Sequence, residues 1–151
     1  MSEHRAELIW KQGDKGFAPP TFCRNHTVKF TTSAQEIRAS AAPEFKGDAA
    51  CVDPETMLTG ALASCHMLTF LFLCARETLT VETYEDHAVG FLERNPERQF
   101  AMTRIELHPR VQFAAGITVP REKLEALHHQ AHAGCFIANS IKAAVTVLLD
   151  S

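Results

Sequence analysis

Charge of one sign is what this sequence most lacks. Its 15 lysines and arginines stand against 18 aspartates and glutamates, leaving −3 with the histidines neutral. That balance excludes the broad field needed to hold nucleic acid or an anionic membrane surface. The chain also lacks internal repeats and low-complexity tracts. An N-terminal secretory pattern is missing: MSEHRAELIWKQGDKGFAPP places charge early and holds no apolar run of signal length. Finally, the cysteines do not make an even set. Cys23, Cys51, Cys65, Cys74 and Cys135 are five, and a 151-residue chain that is 46 % apolar can build a core without disulfides. The expectation is one soluble, cytoplasmic domain over residues 1–151 with reduced thiols.

What the sequence does have is one long apolar run, MLTGALASCHMLTFLFLCA over 57–75. It is nearly long enough to span a bilayer. It also carries Gly60, Ser64, His66 and threonines, and a polar group at the bilayer centre costs about 2–3 kcal/mol or more. A soluble fold needs this segment for its core, so a membrane span is not expected. Asp53 can cap the start of this helix, Pro54 suits its first position and Glu55 favours its positive end. The helix should run to about Arg76, and its nearly all-round apolar surface marks it as central and buried.

Period-two alternation marks strands at AELIWK (6–11), HTVKFT (26–31) and EIRAS (36–40). GDKGFAPP (13–20) and 42–55 read as loops. LTVETYEDHAVGFLER (79–94) and FAMTRIELHPRVQFA (100–114) read as two long strands of an antiparallel hairpin turned at RNPERQ. A helix over 119–134 puts Leu124, Leu127 and Ala131 on one stripe, and Gly134 can end it. The last segment begins with a short helical turn and ends in a strand, AVTVLL. The order β-β-β-α-β-β-α-(α)-β is an α+β sandwich.

Cys65 and His66 sit side by side in the apolar run, inside ALASCHMLTF. Helical geometry gives Cys65 a face with Ala61, Leu62, Leu68, Thr69 and Phe72. In that setting the thiol is either core packing or, given a nearby cation, a reactive group. His66 lies about 100° around the helix and does not face Cys65. It is either a satisfied core residue or a base. Cys135 follows a break at Ala133–Gly134, where the positive end of a helical turn would lower a thiol pKa; burial beside Phe136 and Ile137 is the alternative. Cys74 falls on the opposite side of the helix from Cys65 and reads as packing. Cys23 and Cys51 lie in loops. His128 and His132 share a helix face with Cys135 three residues beyond, so a zinc site with Cys65 or His66 is one reading and solvated or capping histidines the other. The spacing lacks the glutamate of a catalytic zinc helix. Arg24 is a surface charge unless it folds over Cys65.

The stretches DPETMLTGALASCHMLTF (53–70) and HHQAHAGCFIANSIKAAVTV (128–147), with the element order, resemble the OsmC/Ohr family of osmotically inducible and organic hydroperoxide resistance proteins. The resemblance implies antiparallel sheets wrapped around a long central helix, an intertwined homodimer, and two active sites between subunits. It implies a thiol-dependent peroxidase acting on organic hydroperoxides, with Cys65 as the peroxide-reactive thiol and Cys135 as the resolving one. It further implies Arg24 as the residue that holds the thiolate, Glu55 as its partner, a dithiol reductant of lipoyl type, and no metal or organic cofactor. Two positions depart from the family pattern: Phe136 follows the second cysteine in place of proline, and His66 follows the first in place of an apolar residue. The rival expectation on the same scaffold is a non-catalytic, ligand- or metal-binding stress-response dimer.

Overall fold

The computed structural model describes residues 2–14 and 16–149. The chain divides into two compact units, residues 1–57 and 58–151.

The N-terminal unit is a three-stranded antiparallel sheet, β1 (Ala6–Ile9), β2 (His26–Phe30) and β3 (Gln35–Ala39), in sequence order. Val28 pairs with Leu8 on one side and Ile37 on the other, so the alternating apolar positions share a face. Beyond β3 the chain turns through a 3₁₀ turn at Pro43–Phe45 and a left-handed Lys46. Gly47 is required there, since a Cβ would lie 1.5 Å from the Ala41 carbonyl oxygen. A polar cluster ties this loop to the sheet. Buried Ser40 donates to Asn25 Oδ1 at 2.9 Å and accepts from Asp48 N at 3.1 Å, and Asn25 Nδ2 donates to Asp48 Oδ2 at 2.8 Å.

Helix α1 (Pro54–Arg76) starts as its sequence predicts. Asp53 Oδ1 accepts from Thr56 N at 2.8 Å and Oδ2 accepts from the Thr56 hydroxyl at 2.9 Å. These bonds hold the Asp53 carboxyl below the usual carboxylate range despite its partial burial. Among the described residues, α1 is the helix long and apolar enough to cross a membrane. Its burial is one-sided in the single chain. Thr59, Leu62, His66, Phe70 and Cys74 are buried at helical spacing, whereas Leu68 and Phe72 remain 60 % and 61 % exposed.

The expected long hairpin over 79–114 is present but folded in two. Its strands become β4 (Val81–Asp86), β5 (Val89–Arg94), β6 (Phe100–Leu107) and β7 (Pro109–Phe113). β4 pairs with β7 and β5 with β6, both antiparallel, and the register carries through the break: Asp86 opposes Pro109 and Val89 opposes Glu106. The physical reason lies at the break itself. Asp86 Oδ1 accepts from His108 N at 2.7 Å, a side-chain bond where a ladder bond would otherwise run, and Pro109 has no N–H to give. The hairpin turn is closed by Asn95, whose Oδ1 accepts from Gln99 N at 2.8 Å, with Arg98 in the left-handed region.

Helix α2 (Arg121–Gly134) carries the chain to β8 (Ala144–Val147), which joins β6 in parallel. That pairing completes a mixed sheet in the order β5-β6-β8. The expected last strand is thus shorter than AVTVLL, and residues 150–151 lie outside the described residues. Two buried groups anchor the unit. Leu62, Ile105, Leu107 and Cys135 form one, and Phe70, Cys74, Leu127 and Ala131 form the other between α1 and α2. Each such large apolar side chain contributes about 1.5–3 kcal/mol on burial.

Candidate active site

The first group of buried residues brings the two singled-out cysteines together. Cys135 is fully buried against Leu62, with half-buried Cys65 packed on the same group. Cys65 lies close enough to raise the Cys135 pKa, and both thiols are free. Cys65 sits at the edge of a cavity of about 650 Å³, lined on the α1 side also by Ala61, Leu68, Thr69 and Phe72 and opposite by Phe136 and Ile137, the two residues that follow buried Cys135. Four of the five residues that helical geometry assigns to the Cys65 face line this space; the fifth, Leu62, turns into the core.

Local structure explains how Cys135 gets there. Helix α2 ends at Gly134, and Cys135 leaves it in extended conformation. A Cβ on Gly134 would stand 3.2 Å from the Thr69 methyl, so glycine lets the last turn of α2 approach α1 beside Cys65. Thr69 is itself held by its hydroxyl, which donates to the Cys65 carbonyl at 2.9 Å. Cys135 then opens the next turn. Its carbonyl accepts from Asn139 N at 3.1 Å and its sulfur accepts from Ala138 N at 3.4 Å.

The expectation that this helical turn lowers the Cys135 pKa is overturned. Burial raises it, the Ala138 N–H pulls back, and the neighbouring Cys65 raises it again; the net direction is up. In the resting protein Cys135 is therefore a protonated thiol. Cys74 is a packing residue, as its position on the helix indicates. It is buried between α1 and α2 and its thiol is pushed up to about 11, first by burial and then by Glu77.

Arg24 belongs to the N-terminal unit. It donates to the carbonyls of Phe22 at 2.9 Å and Pro19 at 2.8 Å, and its guanidinium stacks 4.1 Å from the Phe22 ring centre. It borders an apolar cavity of about 550 Å³ with Leu8, Trp10 and Phe17. Glu55 sits half-buried in the first turn of α1. Cys23 and Cys51 are half-buried, free thiols of the N-terminal unit.

The histidines are arranged differently from either expectation. His128 is neither solvated nor capping: it is 2 % exposed and lies flat against the Phe70 ring, centroids 4.2 Å apart. Its Nδ1 is 3.0 Å from Nε2 of fully buried His66, with the two rings nearly parallel. A hydrogen bond at that distance needs a proton on one of the two nitrogens and a lone pair on the other. His66 Nδ1 and His128 Nε2 are buried without a hydrogen-bond partner among the described residues. Burial pushes both histidines down to about 4, helped by His132 on His66 and by His66 on His128. Tyr84 stands against His128 and Phe70, and burial raises its pKa. Among the described residues no group of three or more His, Cys, Asp or Glu is placed to hold a metal ion. The pairing of His66 with His128 was not read from the sequence. The signal was present, because His128 lies one turn from Leu124 and next to Leu127 on the apolar stripe of α2.

Comparison with known proteins agrees with this architecture. The model of the family described as OsmC-like protein matches residues 47–150. An OsmC-like protein of unknown function from Vibrio cholerae is 39 % identical, with a TM-score of 0.94 over 99 % of this chain and 100 % of that one. An organic hydroperoxide resistance protein OsmC from Legionella pneumophila is 20 % identical, with a TM-score of 0.72 over 99 % and 96 %. The organic hydroperoxide resistance protein OhrB of Bacillus subtilis is 13 % identical, with a TM-score of 0.70 over 99 % and 98 %; at these identities the likeness is one of fold. No curated protein matches. With the family model covering most of its length and a relative of that identity along the whole chain, this protein belongs to the OsmC-like family.

Proposed function

We propose that this protein is a cysteine-based peroxidase that reduces organic hydroperoxides and protects against oxidative stress. One observation carries the reading: a half-buried Cys65 at the edge of an apolar cavity, packed on the same buried group as a second thiol, Cys135. The Cys65 thiolate attacks the distal peroxide oxygen. The O–O bond breaks, the alcohol leaves after taking up a proton, and Cys65 becomes a sulfenic acid. Cys135 then attacks that sulfur, water leaves and a disulfide forms. An external dithiol of lipoyl type returns both thiols and is itself oxidised. The greasy lining from Leu68, Phe72 and Phe136 favours an alkyl or aryl hydroperoxide over hydrogen peroxide.

In this reading Arg24 favours the thiolate and orients the peroxide, with Glu55 as its partner, and the site is completed in a homodimer. The exposed Leu68 and Phe72 at the cavity support a second copy, since side chains of that size seldom stay open to water. The odd number of free cysteines suits a reducing, cytoplasmic setting. Names of structural relatives that include organic hydroperoxide resistance proteins support the substrate class.

The test is peptide mapping after one equivalent of cumene hydroperoxide. A Cys65–Cys135 disulfide is expected. An unoxidised Cys65 together with no such bond defeats the proposal.

A further inference from the structure

We propose that the buried His66–His128 hydrogen bond positions the two thiols, tying the helix that carries Cys65 to the helix that ends at Cys135. The inference rests on the thiol-pair reading above. His66 directly follows Cys65 on α1, and because successive residues turn by about 100°, its ring points to α2 while Cys65 faces the cavity. His128 lies on α2, seven residues before Cys135, about 10 Å along the helix axis. The bond between them spans 3.0 Å. Any slide or roll of one helix against the other must first stretch it.

The buried contact between these helices beside that bond is apolar, through Phe70, Cys74, Leu127 and Ala131, and an exposed Lys123–Glu77 ion pair lies at the far end of α1. Apolar burial is non-directional and tolerates small shifts. A hydrogen bond between two parallel rings, one of them stacked on Phe70, fixes both distance and rotation. A disulfide is demanding in the same respect, since its Cα atoms must lie within roughly 4.4–6.8 Å. Gly134 and Thr69, in close approach at the Cys135 end, leave little slack once the histidines are joined. Both imidazoles are held neutral by burial, the protonation state in which one proton satisfies both facing nitrogens. The two histidines are thus positioning residues.

The test is a redox titration of the full-length protein in glutathione buffers at pH 7. In the step measured, both thiols lose a proton and an electron each to glutathione disulfide, which is reduced to two glutathiones. Replacing both residues, His66→Leu with His128→Leu, removes the bond and leaves no orphaned nitrogen. This variant is expected to favour the disulfide about tenfold less, a rise of about 30 mV in potential. His128→Asn keeps a hydrogen-bonding atom near the Nδ1 position and is expected to stay within about twofold of wild type. Equal potentials for the double variant and wild type overturn the proposal, as does an asparagine variant as impaired as the double leucine. So does a wild type that forms no Cys65–Cys135 bond at any poise. Should the double variant fail to fold, imidazole nitrogen spectra of the wild type decide the matter. The hydrogen bond between the rings is expected in both redox states, and its loss in either state overturns the proposal. A wild type that cycles normally with glutathione yet ignores cumene hydroperoxide defeats the peroxidase reading and leaves the positioning role standing.

Discussion

Cys65 and His66 are neighbours in sequence and belong to opposite regions of the molecule. Cys65 opens onto an apolar cavity of about 650 Å³ and packs on the same buried group as Cys135. His66 is wholly buried on the other side of α1 and meets an imidazole. One region is accessible from an apolar cavity; the other is closed, neutral and polar only toward itself. The difference shows that a single helix, apolar nearly all round, can present a cavity face and a closed polar contact side by side. The helical turn of about 100° per residue is what separates them.

The sharpest way to break the comparison is to remove the thiol. Cys65→Ser should reduce peroxide consumption to background in a coupled assay. It should change stability by less than about 1 kcal/mol, because the residue is only half-buried. Next in size is Phe70→Ala, which empties the fully buried ring that His128 stacks on. It should cost about 3–5 kcal/mol in urea unfolding.

Acid tests the closed side without mutation. His66 and His128 have folded-state pKa values near 4 against an ordinary value of 6.5. Above about pH 6.5 both folded and unfolded chains leave them neutral, and they add no pH dependence. Between 6.5 and 4 the unfolded chain binds protons that the folded chain does not, so stability falls as pH falls. Thermal melts from pH 7 to pH 4 should show this decline, and the double leucine variant should flatten it.

Smaller effects locate the seam between the regions. Gly134→Ala gains about 1 kcal/mol of helix propensity but sets a methyl 3.2 Å from Thr69. Little net change in stability is expected, with slower Cys65–Cys135 bond formation in stopped-flow oxidation. Asp53→Ala removes the cap of α1 at a distance from both faces. It should cost about 1 kcal/mol and leave the thiol potential unchanged.

Much of this was legible in the residues. The cap at Asp53, the extent of α1, the stripe of Leu124, Leu127 and Ala131, and the alternation in every strand follow from local periodicity and turn chemistry. The fold in the long hairpin was not, because it depends on the Asp86 carboxylate reaching across to His108 N, 22 residues away. The parallel docking of β8 on β6 likewise depends on a partner far along the chain. At the site, the apolar face around Cys65 could be read from helical spacing, and it was the cavity that gave that face a purpose. The direction of the Cys135 pKa could not be read, since it balances burial and a neighbouring thiol against two N–H groups.

By itself, then, the amino-acid sequence determined which residues each helix and strand presents on each face, since that is a matter of periods of 3.6 and 2. It also supplied the two cysteines and the family pattern that joins them. Only the tertiary structure decided which faces meet. Packing α2 on α1 turned one histidine of an apparently solvated pair into the buried partner of His66, and the close approach at Gly134 brought Cys135 to Cys65. The physical reason is that burial and proximity between residues 62 and 70 positions apart belong to packed elements, and no local pattern encodes them.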